Sequence, residues 1–198
     1  MKRICFVAVI LALASFAAGA QTKYDLRGKD LPSSRRVTTT LRAVLPVYVG
    51  VSALVDSPGF SFPTTASGVV KSIAFGLEPV GLRFSAKGSP LESNIALRWQ
   101  YMGLGAYSDS RMYATYLGVP LRVACRFGSS GKIFATASAD LLLTRQDRFA
   151  QPLNRWRASV EGGISWGSWG IWTAYGLTPL LQNGGAANTL TFGIVVEV

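Results

Sequence analysis

The chain contains no histidine, and only 2 of its 198 residues are cysteines. Histidine is the usual general base and the commonest zinc ligand, so its absence argues against barrel-type hydrolases and against metal-dependent catalysis. Acidic residues are also scarce, 10 against 20 basic ones. Beyond residue 20 no apolar run reaches the ~18–20 residues that a membrane-spanning helix needs. Helical periodicity is nowhere convincing either. What these absences leave open is an extended chain, and membrane barrels in particular, whose strands carry no such run.

The N-terminus is the first positive signal. Met1, Lys2 and Arg3 precede an uncharged apolar run from Ile4 to Phe16, then Ala17-Ala18-Gly19-Ala20 and Gln21. A basic start, a short apolar stretch and small residues at 18 and 20 make a secretory signal peptide, and the run is too short to span a bilayer. Residues 1–20 are therefore expected to be removed, with the mature chain starting at Gln21. Cys5 leaves with the signal and Cys125 stands alone, so no internal disulfide is expected. Loss of Lys2 and Arg3 leaves 18 basic residues against 10 acidic, a formal charge of +8, and 13 of the 18 are arginines. An exported chain rarely meets nucleic acid, and the basic residues do not cluster on a helix, so anionic lipid headgroups are the expected partner instead.

Residues 21–36 are polar, basic and turn-rich and read as a flexible periplasmic arm; 37–198 read as one β domain. Here apolar and polar residues alternate in segments separated by turn residues, which is the strand signature. Eight segments emerge, at about 40–55, 71–85, 93–104, 113–127, 132–144, 155–166, 169–178 and 189–198. In the fourth, Tyr113, Thr115, Leu117, Val119, Leu121, Val123, Cys125 and Phe127 share one face, and Arg122 and Arg126 lie on the other. The second segment breaks the rule, since Glu78 and Arg83 have opposite parity. A bulge near Pro79 restores the register.

Alternation also fits a secreted β-sandwich with its apolar faces inward. Two features favour a barrel. Connections after segments two, four and six are short, at 86–92, 128–131 and 167–168. Those after one, three, five and seven are longer, at 56–70, 105–112, 145–154 and 179–188. Short turns at one end and long loops at the other are the outer-membrane barrel layout. The second feature is aromatic. Trp156 and Trp166 lie ten residues apart on one face, about 25 Å along a barrel axis at ~3.3 Å per residue and a tilt of ~40°. With Trp99, Tyr101 and Trp169 they are expected to form an interfacial girdle, although a core role suits any single tryptophan equally. The expected fold is an all-β, up-and-down antiparallel transmembrane barrel of about eight strands in the outer membrane.

The stretch Tyr116-Leu117-Gly118-Val119-Pro120-Leu121-Arg122, followed by Arg126-Phe127, a Gly-Ser turn and Ile133-Phe134-Ala135, resembles the centre of the PorT-like small outer-membrane barrel proteins of Bacteroidetes. Gly76-Leu77-Glu78-Pro79 and the Ala20-Gln21 junction are in the same style. The resemblance covers about twenty residues in motif and most of the mature chain in layout. It implies an eight-stranded outer-membrane barrel delivered by the barrel insertion machinery. One departure is the last residue, Val198, where such chains often end in an aromatic; Phe192 is the nearest.

The polar face carries Arg42, Arg98, Arg122, Arg126, Asp140, Arg157, Glu161 and Glu197. An eight-stranded barrel is just wide enough for side chains to fill, so these charges are expected to pair in a structural lumen network. A polar conduit or a buried acid/base site is the sharper alternative. Gly128-Ser129-Ser130-Gly131-Lys132 lacks the spacing and the helix of a phosphate loop and reads as a hairpin turn. No cofactor or metal is implied, and no catalytic residue is nominated. Arg111, Arg145, Arg148 and Arg155, at the long-loop end, are candidates for contact with lipopolysaccharide phosphates, since guanidinium groups suit phosphate oxygens. A surface protein partner is the other role open to these loops.

Overall fold

A computed structural model describes residues 37–42, 46–55, 60–61, 63, 65–86, 88–104, 113–145, 152–182 and 188–197. The expected signal peptide, the arm and Arg111 and Arg148 lie outside the described residues. The elements are β1 (Val37–Arg42), β2 (Pro46–Val55), β3 (Phe60–Ser61), α1 (Ala66–Lys71), β4 (Ile73–Ala86), β5 (Leu91–Gly103), β6 (Tyr113–Phe127), β7 (Gly131–Arg145), β8 (Trp156–Trp166), β9 (Trp169–Gly176) and β10 (Asn188–Glu197). Each of β4 to β9 pairs antiparallel with the next, and β2 pairs with both β10 and β4, which closes the sheet into an eight-stranded up-and-down barrel. The sandwich alternative is thereby excluded. Among the described residues no helix is long and apolar enough to cross a membrane.

The first expected segment is two strands. β1 pairs with β4 from Val37↔Ala86 to Arg42↔Gly81, and β2 pairs with its other half, from Val47↔Leu77 to Val51↔Ile73. The β4–β5 register shifts between Leu77 and Val80, so Glu78 and Pro79 stand opposite a single position of β5. That bulge brings Glu78 and Arg83 onto the same, inward face. Helix α1 falls in the stretch read as loop. It is capped by Thr65, whose Oγ1 accepts the Gly68 N–H at 3.1 Å, and its six residues are too few to leave a periodic signal.

The registers fix the stagger of the barrel. One row of paired residues runs from Trp166 through Trp169, Val196, Val47, Leu77, Trp99, Leu117 and Leu141, and returns to β8 at Trp156. One circuit thus climbs ten residues along β8, a shear of 10 for eight strands. With ~4.8 Å between strands and ~3.3 Å per residue, this corresponds to a tilt of about 40°. Every residue of the spiral is apolar and faces outward. Its two ends are solvent-facing tryptophans, Trp156 at 65% and Trp166 at 42% exposure, with Trp169 beside Trp166 at a ring separation of 6.3 Å.

The three short turns, at 88–90, 128–130 and 167–168, each hold a glycine at positive φ: Gly88 at 77°, Gly128 at 59° and Gly167 at 61°. Tight hairpins need that conformation, and only glycine adopts it without strain. The strand ends that lead into the longer connections lie at the opposite end.

Candidate functional site

The sheet differs from that of a soluble β protein: many of its large apolar side chains point outward, while its buried charges point inward beside two buried apolar clusters. Val49, Val80, Leu82, Ile95, Leu97, Val119, Ile133, Ile171, Phe192 and Ile194 are all exposed on the outer face, while Glu78, Arg98, Arg122, Asp140, Arg157 and Glu161 are buried in the lumen. Period-two alternation along each strand makes this possible, because every second residue faces the lumen.

At the centre of the lumen stands Glu78. Its Oε1 accepts from Tyr48 Oη at 2.9 Å, from Arg98 Nε at 3.0 Å and Nη2 at 2.7 Å, and from Arg122 Nη2 at 3.1 Å. Arg98 reaches across the lumen from β5 to Glu161 on β8, and Arg122 on β6 also donates to Tyr48 on β2. The guanidinium of Arg98 lies 4.8 Å from the Tyr48 ring centre, and that of Arg122 lies 5.0 Å from the Phe134 ring centre. Such stacking suits the weakly hydrated guanidinium. Nearer the long-loop end Arg157 faces Asp140, with Nε 3.9 Å from Oδ2, and lies over the Tyr116 ring at 5.3 Å. Ser138 donates to Asp140 at 3.2 Å. Gly118 sits between Arg98 and Asp140 in the same row of pairs. A Cβ there would overlap Asp140 Oδ1, so glycine is what admits the carboxylate.

A second cluster guards the short-turn mouth. Glu92 receives Arg83, then Arg126 at 2.7 Å and Lys132 at 3.7 Å, and Lys132 also meets Glu197 at 3.0 Å. Of the expected lumen residues, then, Arg98, Arg122, Asp140, Arg157 and Glu161 lie together and buried. Glu197 lies at the rim, and Arg126 is also there with its side chain half exposed, because the strand ends before the wall can cover it. The Arg42 side chain lies outside the described residues. Sequence reasoning missed Tyr48, Glu78, Arg83, Glu92 and Lys132 as members. The opposite parity of Glu78 and Arg83 was the available signal, since the bulge that repairs it turns both inward.

The long-loop end is apolar. Leu54, Met102, Leu104, Ala114, Tyr116, Leu153, Leu180 and Leu181 pack in one buried cluster. The segments that supply the last three precede β8 and follow β9, and they are tied together as a continuation of that hairpin. Leu153 and Leu181 form an isolated antiparallel bridge, Asn154 Nδ2 donates to the Pro179 carbonyl at 2.6 Å, and Gln182 Nε2 donates to the Leu153 carbonyl at 3.0 Å. Arg145 and Arg155 are exposed outside this cap.

The girdle expectation needs one correction. Trp99 lies five of the eight steps up the outer spiral, within the apolar band rather than at a rim, because parity fixes the face of a residue and the shear fixes its height. Tyr101, two residues closer to the long-loop end, stacks on Tyr113 at 5.6 Å. Among the described residues no group of His, Cys, Asp or Glu is arranged to hold a metal ion. The buried carboxylates are engaged by guanidinium groups. Comparison with protein-family models and with curated protein sequences finds no match to this chain.

Proposed function

We propose that this chain is an outer-membrane barrel, exported by a cleaved signal peptide, with a non-enzymatic structural or interaction role at the cell surface. The observation that carries the reading is the inverted polarity: an apolar outer wall bounded by tryptophans about 25 Å apart, around a charged interior, which matches the height of a lipid band. Water would leave the exposed Val, Ile, Leu and Phe side chains unsatisfied as a contiguous surface far larger than soluble monomers carry. Cross-strand ion pairs run through the lumen, so these charges brace the wall. In this reading the long loops carry the interaction, with Arg111, Arg145, Arg148 and Arg155 meeting lipopolysaccharide phosphates or a partner protein, and the PorT-like resemblance belongs to the same proposal.

The deciding experiment is gel migration of the membrane fraction with and without boiling. A faster unboiled band in the outer-membrane fraction is the expected result. Soluble periplasmic protein with no heat-dependent shift would overturn the membrane reading.

A further inference from the structure

The interior holds more polar atoms than its ion pairs satisfy. Glu78 Oε2, Gln100 Oε1, Asp140 Oδ1, Arg157 Nε and Glu161 Oε2 are buried with no hydrogen-bond partner among the described residues, and Ser165 Oγ nearer the short-turn mouth is another. Buried polar atoms nearly always find a partner, and where the protein offers none it is ordered water in a polar cavity. These atoms extend from the short-turn mouth to the level of Arg157, just beneath the apolar cluster.

The two ends of this column differ. At the short-turn mouth a small pocket is lined by Arg83, Glu92, Lys132 and Glu197, a charged entrance whose lining also includes Ala124 and Phe134. At the other end Leu153, Leu180 and Leu181, held on an extension of the β8–β9 hairpin by the Leu153–Leu181 bridge and the Asn154 and Gln182 hydrogen bonds, pack with Leu54 and Met102 over the lumen. Between them the buried charges balance, with Arg98, Arg122 and Arg157 against Glu78, Asp140 and Glu161, so no net charge repels a small ion of either sign.

We infer that the lumen is a hydrated vestibule open at one end only: water and bare monovalent cations enter from the short-turn mouth, reach the Asp140–Arg157 pair and stop beneath the apolar cap. This rests on the closed barrel and its polarity, and it goes beyond the proposed role without depending on where in the cell the barrel resides.

The test is a ladder of inward cysteines in a Cys125→Ser background, folded in detergent and exposed to Ag⁺, with free thiol counted after unfolding. Ser165→Cys reports the mouth, Ser159→Cys the middle, and Ala114→Cys the cap layer, with Thr189→Cys as a second reporter of that layer. Faster migration of the unboiled protein establishes that each variant is folded. The expected order is rapid reaction at 165, slower reaction at 159, and none at 114 or 189. Adding Leu153→Ala and Leu181→Ala raises the rate at the cap reporters at least tenfold and leaves 165 unchanged. Equal rates at 165 and 114 would mean a lumen open at both ends. An inert 159 beside a reactive 165 would mean a dry interior, and an unchanged cap-layer rate after leucine removal would mean the cap is not the seal. Each of these three results overturns the inference.

Discussion

Glu78→Gln should be among the most destabilising isosteric changes in this protein. Its Oε1 accepts four hydrogen bonds, two of them from Arg98 and one each from Arg122 and Tyr48, and its side chain is 2% exposed. The buried set is balanced at three guanidinium groups and three carboxylates, so the change leaves one surplus positive charge in the lumen. Removing one member of a buried pair costs about 3–5 kcal/mol. The amide oxygen still accepts some of the bonds, which places the expected cost near the lower end, about 3 kcal/mol. That is a large part of a total stability of roughly 5–15 kcal/mol. Arg122→Gln alone should cost a similar amount for the converse reason. The double variant restores the balance, so its loss should be smaller than the sum of the two by about 2 kcal/mol or more. Urea unfolding of the detergent-folded barrel, followed by tryptophan fluorescence, measures all three, with midpoints compared at unchanged slope. A Glu78→Gln loss below about 1 kcal/mol, or additivity within about 0.5 kcal/mol, would refute the view that Glu78 balances the lumen charge.

Gly118→Ala should cost about 1–3 kcal/mol in the same assay, since the new methyl overlaps Asp140 Oδ1 and overpacked interiors respond on that scale; Gly162→Ala, where a Cβ meets only the Phe134 carbonyl at 3.7 Å, should stay within about 0.5 kcal/mol. Val119→Arg, near mid-height on the outer wall and 48% exposed, should cost about 2–4 kcal/mol for protein folded in lipid vesicles. A change within about 0.5 kcal/mol, as at an ordinary water-facing site, would count against lipid contact. Replacing Arg111, Arg145, Arg148 and Arg155 together with glutamine should weaken binding to lipopolysaccharide micelles and flatten its salt dependence. Unchanged binding by the fourfold variant would remove these residues from the interaction.

Much of the wall was legible before the structure. β6 occupies 113–127 as its alternation indicates, and β8 and β9 meet at the Gly167-Ser168 turn. Alternation is a local property: each residue's face follows from its neighbour's, so a strand can be read by itself. The turn glycines were legible for the same reason, because positive φ is a demand made within one or two residues. The unequal connection lengths, and with them the two ends of the barrel, could likewise be counted along the chain.

What the chain could not disclose by itself was everything that depends on stagger. The meeting of Arg98 with Glu161, 63 positions away, the central place of Glu78, and the position of Trp99 inside the band rather than at its edge all follow from a shear of 10. No single strand carries that quantity; it is the sum of the registers around the whole ring, and one slipped pair would change every height above it. The apolar cap is of the same kind: Leu153 and Leu181 lie in segments that read as loop, and although their bridge extends the β8–β9 hairpin, they meet Leu54, Met102 and Tyr116 only once the barrel has closed. Sequence thus determined which side chains share a face, and tertiary structure decided which face is inward and what each side chain meets there, since alternation is set by the pleat of one strand and partnership by the closure of all eight.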